Sequence, residues 1–190
     1  MEERRWKTLG RRYTYRNPWC AFRVDEVELP DGAVIDYGVL ESGGFAAVVA
    51  VAGAGEVVLV RQWRQPLGRF TLELPSGGVD AAEAPRRSAD RELREETGYR
   101  AEGLQHLVSV HTSTGRSTEL CHLFRCRAVR DTGGPRPEPT EFIEVVRLPL
   151  EEAVGKISTG EISDAATVLG LAAVAGGFAP GAGKVDYGPS

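Results

Sequence analysis

An apolar run in the first third of the chain limits the folds open to it. Residues 44–51 read Gly-Phe-Ala-Ala-Val-Val-Ala-Val, with no polar interruption, and a second apolar segment at 56–63 follows the turn Gly53-Ala54-Gly55. A strand with one wet face alternates polar and apolar residues, whereas a continuous apolar run of this length is typical of a strand buried on both faces. We therefore expect two strands joined by a glycine turn, the first of them inside a covered sheet.

Patterns on either side of this pair predict strands and helices in mixed order. Alternation over 6–39, with the turn signal Pro30-Asp31-Gly32, predicts an N-terminal antiparallel β-meander. The other expected elements are strands at Leu104–Val110, Leu120–Val129 and Phe142–Leu148, and helices at Asp80–Thr97, Leu150–Ile157 and Asp164–Ala175. This order indicates an α+β fold or an α/β sandwich, with a mixed β-sheet core flanked by helices, and not a repeating βαβ array.

Length and composition indicate one globular core with appendages. The chain has 190 residues, of which 42% are apolar and 26% charged, as in an ordinary folded domain. We expect an N-terminal strand section at 1–43, a main domain at 44–175 and a flexible Gly/Pro-rich tail at 176–190.

Charge and cysteine content exclude several classes of partner. The net charge is −4, and no run of like charges suggests binding to nucleic acid or to an anionic membrane. No segment has the length of a membrane span or the form of a signal peptide, so we expect a cytoplasmic protein. The cysteines, Cys20, Cys121 and Cys126, lack the paired spacing of a zinc site and are expected to be reduced thiols.

Acidic residues collect near the end of the first expected helix. Glu92 and Glu96 are four residues apart and Glu95 is three from Glu92, so the carboxylates share one side of the helix. Such like charges repel, and a hard divalent cation such as Mg²⁺ would make the cluster favourable. Arg91 could orient Glu95 and leave the other carboxylates free. The alternative is a solvated helix face, with Arg86, Arg87, Arg91 and Arg94 in ordinary surface salt bridges.

The segment containing these residues resembles the Nudix box, G-x5-E-x7-R-E-U-x-E-E-x-G-U, in which U is a bulky apolar residue. The matching residues are Gly77, Glu83, Arg91, Glu92, Leu93, Glu95, Glu96 and Gly98. Tyr99 replaces the usual aliphatic residue but can still pack. The resemblance implies an α/β/α sandwich and a hydrolase that uses Mg²⁺, with Mn²⁺ as a possible substitute.

The same resemblance implies roles for individual residues. The metal ligands would be Glu92, Glu95, Glu96 and the Ser76 carbonyl, and Glu95 is also a candidate for catalysis. Gly77, Glu83, Arg91 and Gly98 would have structural roles in the motif.

Segments outside the box resemble ADP-ribose pyrophosphatases and their nucleotide-sugar relatives. In the lead-in at 60–77, Arg64 would contact a substrate phosphate and Glu73 would lie in the substrate pocket; the alternative for Arg64 is a surface cation at a strand end. Residues 113–119 resemble the segment S-P-G-x-x-x-E, with Thr114 in place of the proline. Gly115 and Glu119 match, and Glu119 would bind sugar hydroxyls or simply begin a strand.

The turn-rich segment 131–141 is expected to be a loop that carries a catalytic glutamate. By resemblance, this glutamate acts as a base or as an added metal ligand. Glu141 matches best and Glu138 is second. His106, His111 and His122 have no ligand-like spacing and are interpreted as strand or loop residues.

Taken with the resemblance, these residues predict hydrolysis of the pyrophosphate bond in a nucleoside diphosphate sugar, foremost ADP-ribose to AMP and ribose 5-phosphate. Thr114 leaves GDP-mannose, a UDP-sugar or a nucleoside triphosphate open as alternative substrates. A sensor that binds nucleotide sugars without cutting them is a further alternative, and messenger RNA decapping would need a basic track that this chain lacks. A homodimer is expected, with aromatic residues Trp6, Tyr13 and Trp19 as possible contacts to a base.

Overall fold

A computed structural model of the protein describes residues 4–80, 82–137 and 141–177. The described chain forms two compact units. The first contains the residues up to Gly43 together with His111–Leu120, and the second contains the rest. Most of the predicted tail, at 178–190, lies outside the described residues. Within the described parts, no helix is both long and apolar enough to cross a membrane.

The first unit is built on the predicted meander. Its strands are β1 (Lys7–Arg16), β2 (Cys20–Glu28) and β3 (Val34–Ser42), paired antiparallel in that order. The turn between β2 and β3 closes with Leu29 N–H donating to the Ala33 carbonyl at 2.8 Å. Gly32 in this turn has φ +87°, a conformation that glycine adopts without a steric penalty.

Residues 113–118 lie along β3 in the same unit. Leu40 N–H donates to the Arg116 carbonyl at 2.8 Å, and Thr118 N–H donates to the Leu40 carbonyl at 3.1 Å. The Tyr37 hydroxyl donates to the Gly115 carbonyl at 2.6 Å. The backbone of this segment is therefore fixed by an adjacent strand.

The second unit contains a seven-stranded mixed sheet and three helices. The strands are β4 (Phe45–Val51), β5 (Glu56–Arg64), β6 (Arg69–Glu73), β7 (Ser76–Gly78), β8 (Tyr99–His111), β9 (Leu120–Arg130) and β10 (Glu144–Pro149). The helices are α1 (Pro85–Thr97), α2 (Leu150–Ser158) and α3 (Ala165–Ala175). The main path is β10-β5-β4-β9-β8, with β6 paired to β5 and β7 to β4. Since β4 is parallel to β9 and antiparallel to β5, the sheet is mixed.

Helices cover both faces of this sheet, which confirms the predicted architecture. Ala46 to Ala50 of β4 are completely buried, as the apolar run predicted. On one face, Ala89 and Leu93 of α1 pack on the sheet, and on the other Ala153 of α2 and Leu171 of α3 do so. The α1 face carries the acidic motif.

The boundaries of several elements differ from the prediction. The first helix begins at Pro85 and not at Asp80, because proline suits the first helical position and keeps the preceding Ala84 extended, with ψ 137°. β8 begins at Tyr99, five residues before its predicted start, and β10 begins at Glu144. The short strands β6 and β7 were not predicted, since three to five residues show too little alternation to reveal a strand.

Candidate active site

Helix α1 places Glu92 directly over the backbone of β7. A Cβ atom built on Gly77 would overlap the Glu92 carboxylate. The absence of a side chain at Gly77 therefore creates the space that this carboxylate fills. Gly98 ends the helix with φ +68°, and its N–H donates to the Arg94 carbonyl.

The second acidic residue of the helix, Glu96, is almost fully buried, with 3% of its surface exposed. Its carboxylate accepts a hydrogen bond of 2.9 Å from the Ser76 N–H. Burial, together with the nearby charges of Glu92 and Glu141, raises the pKa of Glu96 to about 9, against the opposing effects of Ser76 and Arg64. Burial also raises the pKa of Glu92 above its ordinary value, although Arg91 opposes this shift.

Arg91 donates hydrogen bonds to three carboxylates, whereas the sequence predicted a bond to one carboxylate only. Its Nη1 donates to Glu92 at 2.6 Å and to Glu95 at 3.1 Å. Its Nη2 donates to Glu83 and to the Gly78 carbonyl, both at 3.1 Å. The guanidinium group can do this because α1 packs against β7 and the turn that carries Glu83, which helical spacing does not reveal.

The structure brings Glu141 near these acids. Glu141 is close enough for its charge to raise the pKa of both Glu92 and Glu96. Of the two predicted loop glutamates, it is the one that can be placed, because Glu138 lies outside the described residues. The catalytic role of either residue stays a prediction.

Arg64 of β5 and Glu73 of β6 form an ion pair, although the register places Val60 and not Arg64 opposite Glu73. Arg64 Nε donates to Glu73 at 2.9 Å, and its Nη2 donates to the other carboxylate oxygen. Burial alone would raise the pKa of Glu73, but hydrogen bonds from Arg64 and Thr71 lower it below its ordinary value. Thr71 is a contributor that sequence reasoning missed. Its position two residues before Glu73, on the same face of a strand, was the available signal.

The acidic residues of α1 suit a hard divalent cation. Glu92 and Glu96 are buried acids whose ionised forms are disfavoured by burial, and an oxygen-seeking cation would restore their charge. Among the described residues, no group of three or more potential ligands is already arranged to hold an ion. The Arg91 guanidinium lies among these carboxylates, so ion binding requires their side chains to turn.

Gly115 and Glu119 belong to the first unit, and the other predicted site residues belong to the second. The Glu119 carboxylate accepts a hydrogen bond from the Thr112 hydroxyl at 2.7 Å. Its interaction with a sugar stays a prediction.

Two of the histidines take part in a hydrogen-bonded chain. Ser109 Oγ lies 2.8 Å from His106 Nε2 and 2.9 Å from His122 Nδ1. Burial, and then the charge of His106, lower the pKa of His122. Sequence reasoning could not reveal these hydrogen bonds, because they depend on the pairing of separate strands.

Known proteins resemble this chain along most of its length. It is 32% identical to the methanol dehydrogenase activator of Bacillus methanolicus and 32% identical to the ADP-ribose pyrophosphatase of Bacillus subtilis, each over 87% of this chain and 90% of the relative. It is 34% identical to the ADP-ribose pyrophosphatase of Mycobacterium tuberculosis, over 92% of this chain and 85% of the relative.

A solved structure and two family matches complete the comparison. The crystal structure of an ADP compounds hydrolase matches with a TM-score of 0.82, covering 93% of this chain and 95% of that chain at 17% identity, which shows a shared fold. Residues 6–40 match the nucleoside diphosphate sugar hydrolase N-terminal domain, and residues 43–168 match the NUDIX domain. The chain therefore belongs to the Nudix family of hydrolases.

Proposed function

We propose that this Nudix hydrolase cleaves the pyrophosphate bond of a nucleoside diphosphate sugar, foremost ADP-ribose, in a reaction that depends on Mg²⁺. The observation that carries the proposal is the pair of buried acids, Glu92 and Glu96, held on one helix beside Glu141. Two of the relatives are named ADP-ribose pyrophosphatases, which supports the choice of substrate.

The residues that would hold the ion are Glu92, Glu95, Glu96 and the carbonyl of Ser76. When bound, Mg²⁺ or Mn²⁺ neutralises phosphate oxygens and lowers the pKa of a coordinated water. The Ser76 N–H holds Glu96, and Arg91 holds Glu92 and Glu95, so Glu92 and Glu95 would turn from Arg91 when an ion binds.

The chemistry of hydrolysis needs a base and a cation for the phosphates. Glu141 accepts a proton from the attacking water, whose oxygen bonds to phosphorus as the bond from that phosphorus to the bridging oxygen breaks. The products of ADP-ribose would be AMP and ribose 5-phosphate.

Arg64 provides the cation for the phosphates. It uses two nitrogens to bind Glu73 and has further N–H groups for phosphate oxygens. Glu73, buried and bonded to Arg64, would keep the guanidinium group in place.

A substrate panel tests the proposal. ADP-ribose, GDP-mannose, a UDP-sugar and a nucleoside triphosphate would each be incubated with Mg²⁺, with Mn²⁺ and with EDTA, and the products separated by chromatography. We expect the highest kcat/KM for ADP-ribose and no turnover in EDTA. Preference for another compound would assign the enzyme to one of the alternatives that Thr114 leaves open. Binding without turnover of any compound would instead indicate a sensor.

The N-terminal sheet supports a further proposal, a homodimer. Its strands and their flanks expose large apolar side chains, which mark interaction surfaces when they are contiguous. They include Trp6, Leu9, Tyr13, Tyr15, Trp19, Phe22, Val34, Ile35 and Leu40. Light scattering after size-exclusion chromatography should give twice the chain mass of 20.5 kDa, and a single-chain mass at micromolar concentration would contradict the dimer.

A further inference from the structure

The segment that follows β9 is attached to the last turn of α1. Asp131 N–H donates to the Gly98 carbonyl at 2.9 Å, and Arg136 N–H donates to the Glu95 carbonyl at 2.7 Å. The carbonyls at the end of a helix have no partner within the helix, so these bonds satisfy groups that would otherwise need water. Residues 131–136, which we call the anchor segment, are thus held at one end by Gly98, which directly follows α1, and at the other by Glu95 within α1.

Gly98 allows the anchor segment to approach the helix closely. A Cβ atom at Gly98 would lie 2.8 Å from Pro135 N, 2.9 Å from Pro135 Cδ and 3.0 Å from the Gly134 carbonyl carbon. Separations this short are not tolerated by real side chains. The glycine at the end of the Nudix box therefore has a second function besides ending the helix, which is to let Pro135 rest against it.

Glu141 lies between two fixed points of the chain. It lies five positions after Arg136, so the extended chain allows at most ~18 Å between them. Three residues after Glu141, β10 begins at Glu144, which pairs with Arg61 of β5. The carboxylates that Glu141 must meet lie on α1, the same helix that holds the anchor segment.

We propose that Pro135 and the backbone N–H of Arg136 are positioning groups. By docking on the last turn of α1, they hold Glu141 at a fixed position relative to Glu92 and Glu96. The inference rests on the proposed function, because it assumes that Glu141 acts on the substrate. Neither group touches the substrate. Because α1 carries the ion-binding acids and also holds the anchor segment, it sets the position of the loop glutamate relative to those acids.

Two substitutions at Arg136 separate its backbone from its side chain. Arg136→Pro removes the N–H that donates to Glu95, whereas Arg136→Ala keeps it. We expect Arg136→Pro to lower kcat for the best panel substrate at least tenfold with KM changed less than twofold, and Arg136→Ala to keep kcat within about twofold. Equal losses in both variants would assign the effect to the side chain and overturn the proposal.

A double-mutant cycle with Glu141→Gln tests whether the anchor acts through Glu141. If it does, Arg136→Pro will have little further effect on kcat in the Glu141→Gln background, because the group it positions is already disabled. An undiminished loss in that background would overturn the proposal. If Glu141→Gln alone leaves kcat unchanged, the assignment of Glu141 in the proposed function fails, and the anchor proposal fails with it.

Failure of the Arg136→Pro variant to fold would not end the test. Pro135→Ala removes the ring that rests on Gly98 and retains every backbone N–H, and it would enter the same cycle. We expect a smaller loss of kcat than for Arg136→Pro, again absent in the Glu141→Gln background. Circular dichroism of each variant establishes that the fold is intact, and an unchanged kcat for a folded Pro135→Ala would overturn the role of the ring.

Discussion

Replacement of Glu96 by glutamine is expected to lower kcat for Mg²⁺-dependent hydrolysis on the order of 1000-fold, because the loss of an ion-binding carboxylate removes several kcal/mol of transition-state stabilisation. Glutamine has nearly the same shape and can still accept the Ser76 N–H bond, so the fold should be retained. Steady-state kinetics over a range of Mg²⁺ concentrations would measure the loss. Unchanged turnover in a folded Glu96→Gln variant would contradict the proposed role of this residue.

The same variant should be more stable than the wild type when metal is absent. The pKa of Glu96 is about 9 in the folded chain against an ordinary value of 4.5, so between these values the unfolded chain loses a proton that the folded chain keeps. Ionisation then favours unfolding, and the stability of the wild type falls as pH rises through this window. Glutamine does not ionise there.

Thermal unfolding in EDTA provides the measurement. The Glu96→Gln variant should melt above the wild type at pH 8, and the difference should shrink towards pH 5. Adding Mg²⁺ should raise the melting temperature of the wild type more than that of the variant, since a ligand stabilises the folded state that binds it. A variant that is less stable at both pH values would show that the ionised carboxylate is tolerated without an ion.

The sequence could predict those features that depend on local spacing. The uninterrupted run at 44–51 identified a strand buried on both faces, because solvent exposure of either face would require polar residues there. Helical periodicity likewise predicted that Glu92, Glu95 and Glu96 lie on one side of a helix. The order of strands and helices predicted a mixed arrangement and not a repeating βαβ array, and the resemblance to the Nudix box implied the observed sheet with helices on both faces.

Other features depend on contacts between distant segments, which periodicity does not encode. Arg91 can donate hydrogen bonds to three carboxylates because α1 packs on β7, a strand of only three residues. The bidentate pair of Arg64 and Glu73 depends on the register of the β5–β6 hairpin. The docking of Pro135 on Gly98 likewise joins residues more than thirty positions apart.

Two adjacent glycines in β7 allow a test, with a matched control, of whether Gly77 provides the space that the Glu92 carboxylate fills. In Gly77→Ala, the new Cβ would overlap the Glu92 carboxylate, so either the acid leaves its place or α1 moves from the sheet. In Gly78→Ala, the new Cβ would meet nothing within 4 Å. The two substitutions change the strand in the same way chemically and differ in whether they disturb the acid.

We expect Gly77→Ala to lower kcat about 100-fold and the free energy of unfolding by about 1–3 kcal/mol, the usual cost of inserting a methyl group into a filled space. Gly78→Ala should leave both nearly unchanged, since alanine is at least as favourable as glycine in a strand. Kinetics and denaturant unfolding of the two variants, side by side, measure the difference. Equal effects would mean that β7 tolerates a side chain beside Glu92, and that the position of this carboxylate does not depend on the glycine. A loss confined to Gly77→Ala would instead show that the first glycine of the box keeps space for an acid that the reaction needs.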